Sequence, residues 1–433
     1  MIAYIDPGTG SMLFTILLGV LSAGIYALRG LVVKLRFAMS AGAREEVSKN
    51  KLPFVIFSDN KRYWAIFEPI CDELERRGVD LVYMTASEDD PALSKHYEHI
   101  KAQFIGEGNK AFAKLNMLNA RLLFSTTPSL DVYQWKRSRD VDHYVHIYHA
   151  PRDATSYRMF GIDYYDSILL SGEYQVEQIR KLEKLRNLPA KELRIVGIPY
   201  MDEMKKRVDN APPMGEHPTT VLLAPSWGPS GILSRYGERM IQTLLDTGYH
   251  VIVRPHPQSY ASEKELLDAL QAKFPNSEQL EWNQDTDNFE VLRRSDIMIS
   301  DFSGVMFEFA LIFDKPVIYA DTTFDKGPYD ACWLDEEMWT FEALPRIGQQ
   351  LTEENLPHIK EVIDTCMYDT SYRDERHAAR DETWMYQGEG TQRVVEFLLS
   401  KQQELLAKEA ESAAHSEPAE TAKAAKTKAK RAK

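Results

Sequence analysis

The chain has 433 residues, a formal net charge of −13, 44% hydrophobic and 11% aromatic residues. That length exceeds one ordinary core and predicts two domains with appendages. The charge excludes a general nucleic-acid binder, which needs a basic footprint against phosphates. The three cysteines, Cys71, Cys332 and Cys366, are far apart and form no CxxC pair. Neither a disulfide framework nor a zinc knuckle is expected, and a reducing compartment fits.

Residues 1–7 lack a basic region, and no A-x-A-like site ends the apolar run, so a cleaved signal is not expected. Residues 12–28 are uncharged, and apolar character resumes at 31–33 beyond Arg29. Residues 12–33 reach the ~20 residues that span a bilayer if Arg29 snorkels to the interface. A helix lying on the membrane or buried in a core is the alternative. Arg29, Lys34, Arg36 and Arg44 follow the run and Asp6 precedes it. The positive-inside rule then predicts a single-pass anchor (residues 1–40) at the cell membrane, with the remainder cytoplasmic.

From Pro53 the pattern becomes βα. Strands are expected at 54–57, 80–84, 103–105, 121–124, 144–147, 167–170 and 193–196. Helices are expected at 64–77 (stopped by Gly78), near 92–99 and at 174–186. Such alternation predicts a parallel sheet covered on both faces. Residues 211–215, Ala-Pro-Pro-Met-Gly, interrupt the pattern and divide a first domain (50–210) from a second (216–406). The second carries strands at 221–223, 250–253, 296–299 and 316–319, with helices near 234–246, 263–273, 288–294, 305–313 and 391–406. The expected fold class is α/β, two Rossmann-like domains facing a cleft. Residues 407–433, rich in Ala, Glu, Lys and Ser, read as a disordered tail whose basic end can touch anionic lipid.

Four polar clusters stand directly behind strand-like runs: Tyr148-His149-Ala150-Pro151-Arg152, Ala224-Pro225-Ser226-Trp227, Arg254-Pro255-His256-Pro257 and Ser300-Asp301-Phe302-Ser303-Gly304. Open parallel sheets bind ligands at the carboxyl ends of their strands, so the four together point to one shared polar site. Ser303 is a good N-cap for a helix opening at Gly304, and free N–H groups there suit a phosphate. Asp301 either binds a hydroxyl of the ligand or caps the turn. Arg254 offers a forked positive charge, and two prolines aim His256. His149, at a strand end, is placed to take a proton from an acceptor hydroxyl. His143 and His146 read as pleat or surface residues. Arg152 and Arg158 add charge to the cleft or lie in a solvated loop. Ser226 and Trp227 hold a base or phosphate, unless Trp227 packs in the core.

Asp285-Thr286-Asp287 is a D-x-D that holds a metal in some nucleotide-diphosphate enzymes, or simply a polar helix-capping loop. No P-loop, G-x-G-x-x-G or G-x-S-x-G motif is present at a suitable place.

Taken together, the His149 loop, the Ala224–Trp227 and Arg254–Pro257 segments, the run from Ser295-Asp296 through Phe309, and Lys315-Pro316-Val317-Ile318-Tyr319 resemble the CDP-glycerol glycerophosphotransferase family. The resemblance covers roughly residues 120–325. It implies a GT-B fold, a CDP-glycerol-like donor held mainly by the second domain, and a glycan or lipid-linked acceptor. His149 would be the base, while Arg254, His256, Ser303 and the Gly304 amide would stabilise the pyrophosphate. Neither a metal nor a cofactor is expected. The chain departs from the family where Tyr148-His149-Ala150-Pro151-Arg152 replaces Trp-His-Gly-Thr-Pro and where Gly304 replaces a second serine. A nucleotide-sugar glycosyltransferase and a non-catalytic envelope scaffold are the competing readings.

Overall fold

The computed structural model describes residues 51–285 and 287–431. Seven strands form a parallel sheet in the first lobe: β1 (Leu52–Ser58), β2 (Leu81–Thr85), β3 (Ile100–Phe104), β4 (Asn119–Ser125), β5 (Asp140–Ile147), β6 (Ser167–Leu170) and β7 (Glu192–Ile195). Six build the second: β8 (Thr220–Leu223), β9 (His250–Val253), β10 (Leu280–Trp282), β11 (Ile297–Ser300), β12 (Val317–Ala320) and β13 (Gly348–Leu351). Their orders are β3-β2-β1-β4-β5-β6-β7 and β10-β9-β8-β11-β12-β13. Each reverses direction once, between β1 and β4 and between β8 and β11, and such a switch point opens a ligand crevice. The two-lobed α/β architecture expected from the sequence is therefore present.

The inner strands are apolar on both faces because helices cover both. Val251, Ile252 and Val253 are each fully buried, as are Ile297, Met298 and Ile299. One face of the second sheet packs under Ile232, Met240 and Ile241, the other under Met306, Phe307 and Phe309.

Three features depart from the sequence reading. No α-helix forms at 92–99. Asp90 caps a single 3-10 turn at Pro91–Leu93, and the Glu75 carboxylate then takes the N–H groups of Glu98 and His99. The helix Pro199–Asn210, assigned to the first domain, places Met201 and Met204 in the second lobe's core. The last helix, Gly390–Arg431, continues beyond Leu406. Its Val394, Val395, Phe397 and Leu398 lie in the first lobe's core with Phe54, Ile56 and Phe67, although they fall within the segment assigned to the second domain. The chain thus crosses between the lobes twice.

The expected membrane segment, residues 12–33, lies outside the described residues. Among those described, no helix is long and apolar enough to cross a membrane.

Candidate active site

Loops behind β1, β4 and β5 build the first wall. Asp59, after β1, accepts a hydrogen bond from Thr127 Oγ1 at 2.9 Å. Asn60 caps a short turn, Lys61–Tyr63, by accepting from the Arg62 N–H. Arg62 is exposed, donates to the Tyr63 hydroxyl at 3.0 Å and lies 4.8 Å from the ring centroid. Tyr63 in turn meets the His149 ring edge-on at 5.1 Å. Burial raises the pKa of both Asp59 and Tyr63.

His149 stands two residues beyond β5, its Nδ1 2.5 Å from Thr126 Oγ1. Burial, reinforced by the positive charges of Arg152 and Arg62, holds its pKa down to about 3. The ring is therefore neutral near pH 7, with one ring nitrogen unprotonated. Arg152 does not swing freely. Its Nε donates to Ser156 Oγ at 2.6 Å and its guanidinium lies over Tyr157 at 4.7 Å. Arg152 supplies a fixed charge beside His149. Arg158 is exposed on the strand-like bridge to Tyr329. His146 is wholly buried among Tyr148, Tyr157 and Tyr165, and His143 bonds Ser167, as expected for residues of the pleat.

Loops behind β8, β9 and β11 make the second wall. His256 is half-buried, its pKa lowered by burial and then by Arg62. The positive charge of Arg62 lowers the pKa of both imidazoles, after burial in each case. Ser303 caps the helix Gly304–Ile312 by position, yet its hydroxyl makes no capping bond. A Cβ built on Gly304 meets no atom within 4 Å, so the first turn of the helix is open. Partial positive charge at that turn and an unengaged hydroxyl suit an anionic oxygen.

Three residues expected at the ligand, Asp301, Ser226 and Arg254, are engaged within the protein. Asp301 is 0% exposed and accepts the N–H groups of Ser226, Phe302 and Ile232 at 2.8 to 3.2 Å. It fastens the Ser226 loop to the turn before Gly304, the turn-capping alternative of the sequence reading. Ser226 is nearly buried and enters that fastening through its backbone. Arg254 bonds Asn283 and the Asp285 carbonyl, the latter at 2.8 Å, so it holds the loop behind β10 instead of projecting free. Trp227 is 44% exposed and does not pack in the core.

The D-x-D carboxylates are also engaged. Asp287 pairs with Arg207 and caps the Phe289 N–H, while Asp285 accepts from Asn283. Among the described residues, no cluster of three or more His, Cys, Asp or Glu side chains suits a metal. Lys315 donates to the carbonyls of Leu292, Arg293 and Ser295, closing the helix Phe289–Arg294 with a cation at its negative end.

Sequence reasoning missed Asp59, Arg62, Tyr63, Thr126 and Glu308. The first four follow β1 and β4 directly, so their strand-end positions were the available signal. Glu308, on the helix behind Gly304, accepts from Asn288 at 2.9 Å and Tyr200 at 3.5 Å. Burial pushes its pKa up to about 7.

Two parallel α/β sheets, with histidines and an open helix N-terminus in the loops behind their strands, fit a GT-B-like architecture. The sequence profile of the CDP-Glycerol:Poly(glycerophosphate) glycerophosphotransferase family matches residues 39–400, and the chain belongs to that family. It is accordingly a CDP-glycerol glycerophosphotransferase-like enzyme. Among solved structures, the chain is similar to the wall teichoic acid polymerase TagF, variant H548A. Identity is 15% and TM-score 0.53, over 86% of this chain and 98% of that one. It is also similar to S. aureus MnaA with UDP, at 13% identity and TM-score 0.53, over 79% of this chain and 94% of that one. A UDP-N-acetylglucosamine 2-epimerase gives 15% identity and TM-score 0.53, over 81% and 95%. At these identities the likenesses support the fold. No curated protein matches the chain.

Proposed function

We propose that the protein transfers glycerol phosphate, or a related polyol phosphate, from a CDP-activated donor to a hydroxyl of a teichoic-acid-like envelope glycan or glycolipid. The acceptor oxygen attacks the polyol-side phosphorus. A phosphodiester forms, the bond to the bridging oxygen breaks, and CMP leaves with that oxygen. His149 receives the acceptor proton. Ser303, the Gly304 amide and His256 stabilise charge on the pyrophosphate as the bond breaks. Such chemistry depends on positioning and electrostatics. Membership of the family supports the donor class. The observations that carry the site are the His149 ring held behind β5 by Thr126 Oγ1 and Tyr63, and the uncapped, open helix start at Ser303-Gly304. Residues 12–33 seat the enzyme on the membrane, with the described lobes on its cytoplasmic side. The basic residues that follow the run support this.

The test is CMP release from CDP-glycerol by full-length protein in detergent with membrane lipid, wild type against His256→Ala and His149→Gln. The expected result is donor-specific release, reduced about a hundredfold or more in each variant. Release of UDP from a UDP-sugar, with CDP-glycerol untouched, would identify a glycosyltransferase instead. Binding of neither donor would leave the scaffold reading.

A further inference from the structure

His149 and His256 differ in a way that only their hydrogen-bond partners reveal. Thr126 Oγ1 lies 2.9 Å from the Ile147 carbonyl oxygen and 2.5 Å from His149 Nδ1. A carbonyl accepts but cannot donate, so the single hydroxyl proton of Thr126 goes to Ile147. The hydroxyl oxygen is then left as an acceptor toward the imidazole. Both contacts are satisfied in one tautomer, with the proton of neutral His149 on Nδ1 and the lone pair on Nε2. Among the described residues, Nε2 has no protein hydrogen bond and is not a sealed, unpartnered atom. At His256 the order is reversed. The backbone N–H of Gln258 donates to Nδ1 at 3.1 Å, so the neutral ring carries its proton on Nε2.

We infer that Thr126 is a positioning residue that fixes His149 as the Nδ1–H tautomer and makes Nε2 the proton-accepting atom, opposite to the Nε2–H donor that Gln258 makes of His256. The inference rests on the reading of His149 as the base. Thr126 itself touches no substrate atom. It acts by ensuring that the ring never presents an N–H to the acceptor hydroxyl, where it would donate instead of accepting.

The test pairs ring-nitrogen NMR of histidine-labelled full-length protein with CMP release from CDP-glycerol. The His149 resonances are assigned by their loss in His149→Gln. Wild type should show the Nδ1–H form. Thr126→Val keeps the side-chain shape and removes the acceptor, so the Nε2–H form should appear. The kcat should then fall at least about tenfold, with donor KM little changed. Thr126→Ser should restore both tautomer and rate, which separates this role from a packing role. An unchanged tautomer in Thr126→Val, or a changed tautomer with an unchanged kcat, would overturn the inference while leaving His149 as the base. Full activity in His149→Gln would remove the base reading itself, and the inference with it.

Discussion

At the scale of single residues, the type of a side chain decided less than what its other atoms touch. Asp301 and Arg254 have the charge expected at a phosphate site, yet both are spent on the protein's own backbone and loops. Glu308 carries the opposite lesson. It was invisible in the motif, but it sits half-buried with a pKa raised from 4.5 to about 7. A carboxyl whose folded pKa is raised binds its proton more tightly when folded. Its favourable contribution is full below the unfolded value and is lost as pH rises through the folded one. Glu308→Gln should therefore change stability little at pH 4.5 and gain on wild type between pH 5 and 8. The ceiling is about 3 kcal/mol, lower in practice because the group is partly solvated. Urea unfolding at several pH values measures it, and a pH-independent difference would contradict it.

At the scale of elements, helices are completed by residues from the other lobe. The helix Trp339–Ile347 has no capping side chain of its own. Asp153 from the first lobe accepts the N–H groups of Trp339 and Thr340 at 2.7 and 3.0 Å, together with the Thr340 hydroxyl. Asp153→Ala should cost about 1–3 kcal/mol, since it strips a buried cap and leaves donors unpaired. The expected fall in Tm is readable by calorimetry, and an unchanged Tm would mean that water replaces the carboxylate. Close approach matters as well: a Cβ at Gly172 would stand 2.1 Å from the Glu382 carbonyl. The elements the pattern hid are those without a local apolar signal. Helix Ser371–Thr383 buries only Arg376, Ala379 and Thr383, so it has no apolar stripe to read. Strand β13 is Gly-Gln-Gln-Leu, and it pairs because Gly348 fits against the Val317 carbonyl.

At the scale of the whole molecule, the last helix ties the end of the second lobe back to the first. Burying Val394, Val395, Phe397 and Leu398 is worth about 1.5–3 kcal/mol each, comparable in sum to the whole stability of a domain. A chain stopped after residue 388 should aggregate or lose its cooperative transition. One stopped after residue 411 keeps those side chains and the Arg121–Glu409 ion pair, and should melt within about 2 °C of the full chain. Equal melting of both truncations would show that the helix docks without stabilising.

From sequence alone came the two parallel sheets, most of their strands, the loop order and the family. Buried parallel strands must be continuously apolar, and turn residues must follow them, so local composition records both. Tertiary structure alone decided which polar residues are engaged within the protein and which are left unengaged. His149 and His256 differ as acceptor and donor because of Thr126 Oγ1 and the Gln258 N–H. Asp301 turns inward because three backbone donors, one of them on the far side of the β8 loop, converge on it. Hydrogen bonds between residues distant in the chain depend on the register of the sheets and the meeting of the lobes, which no local pattern encodes.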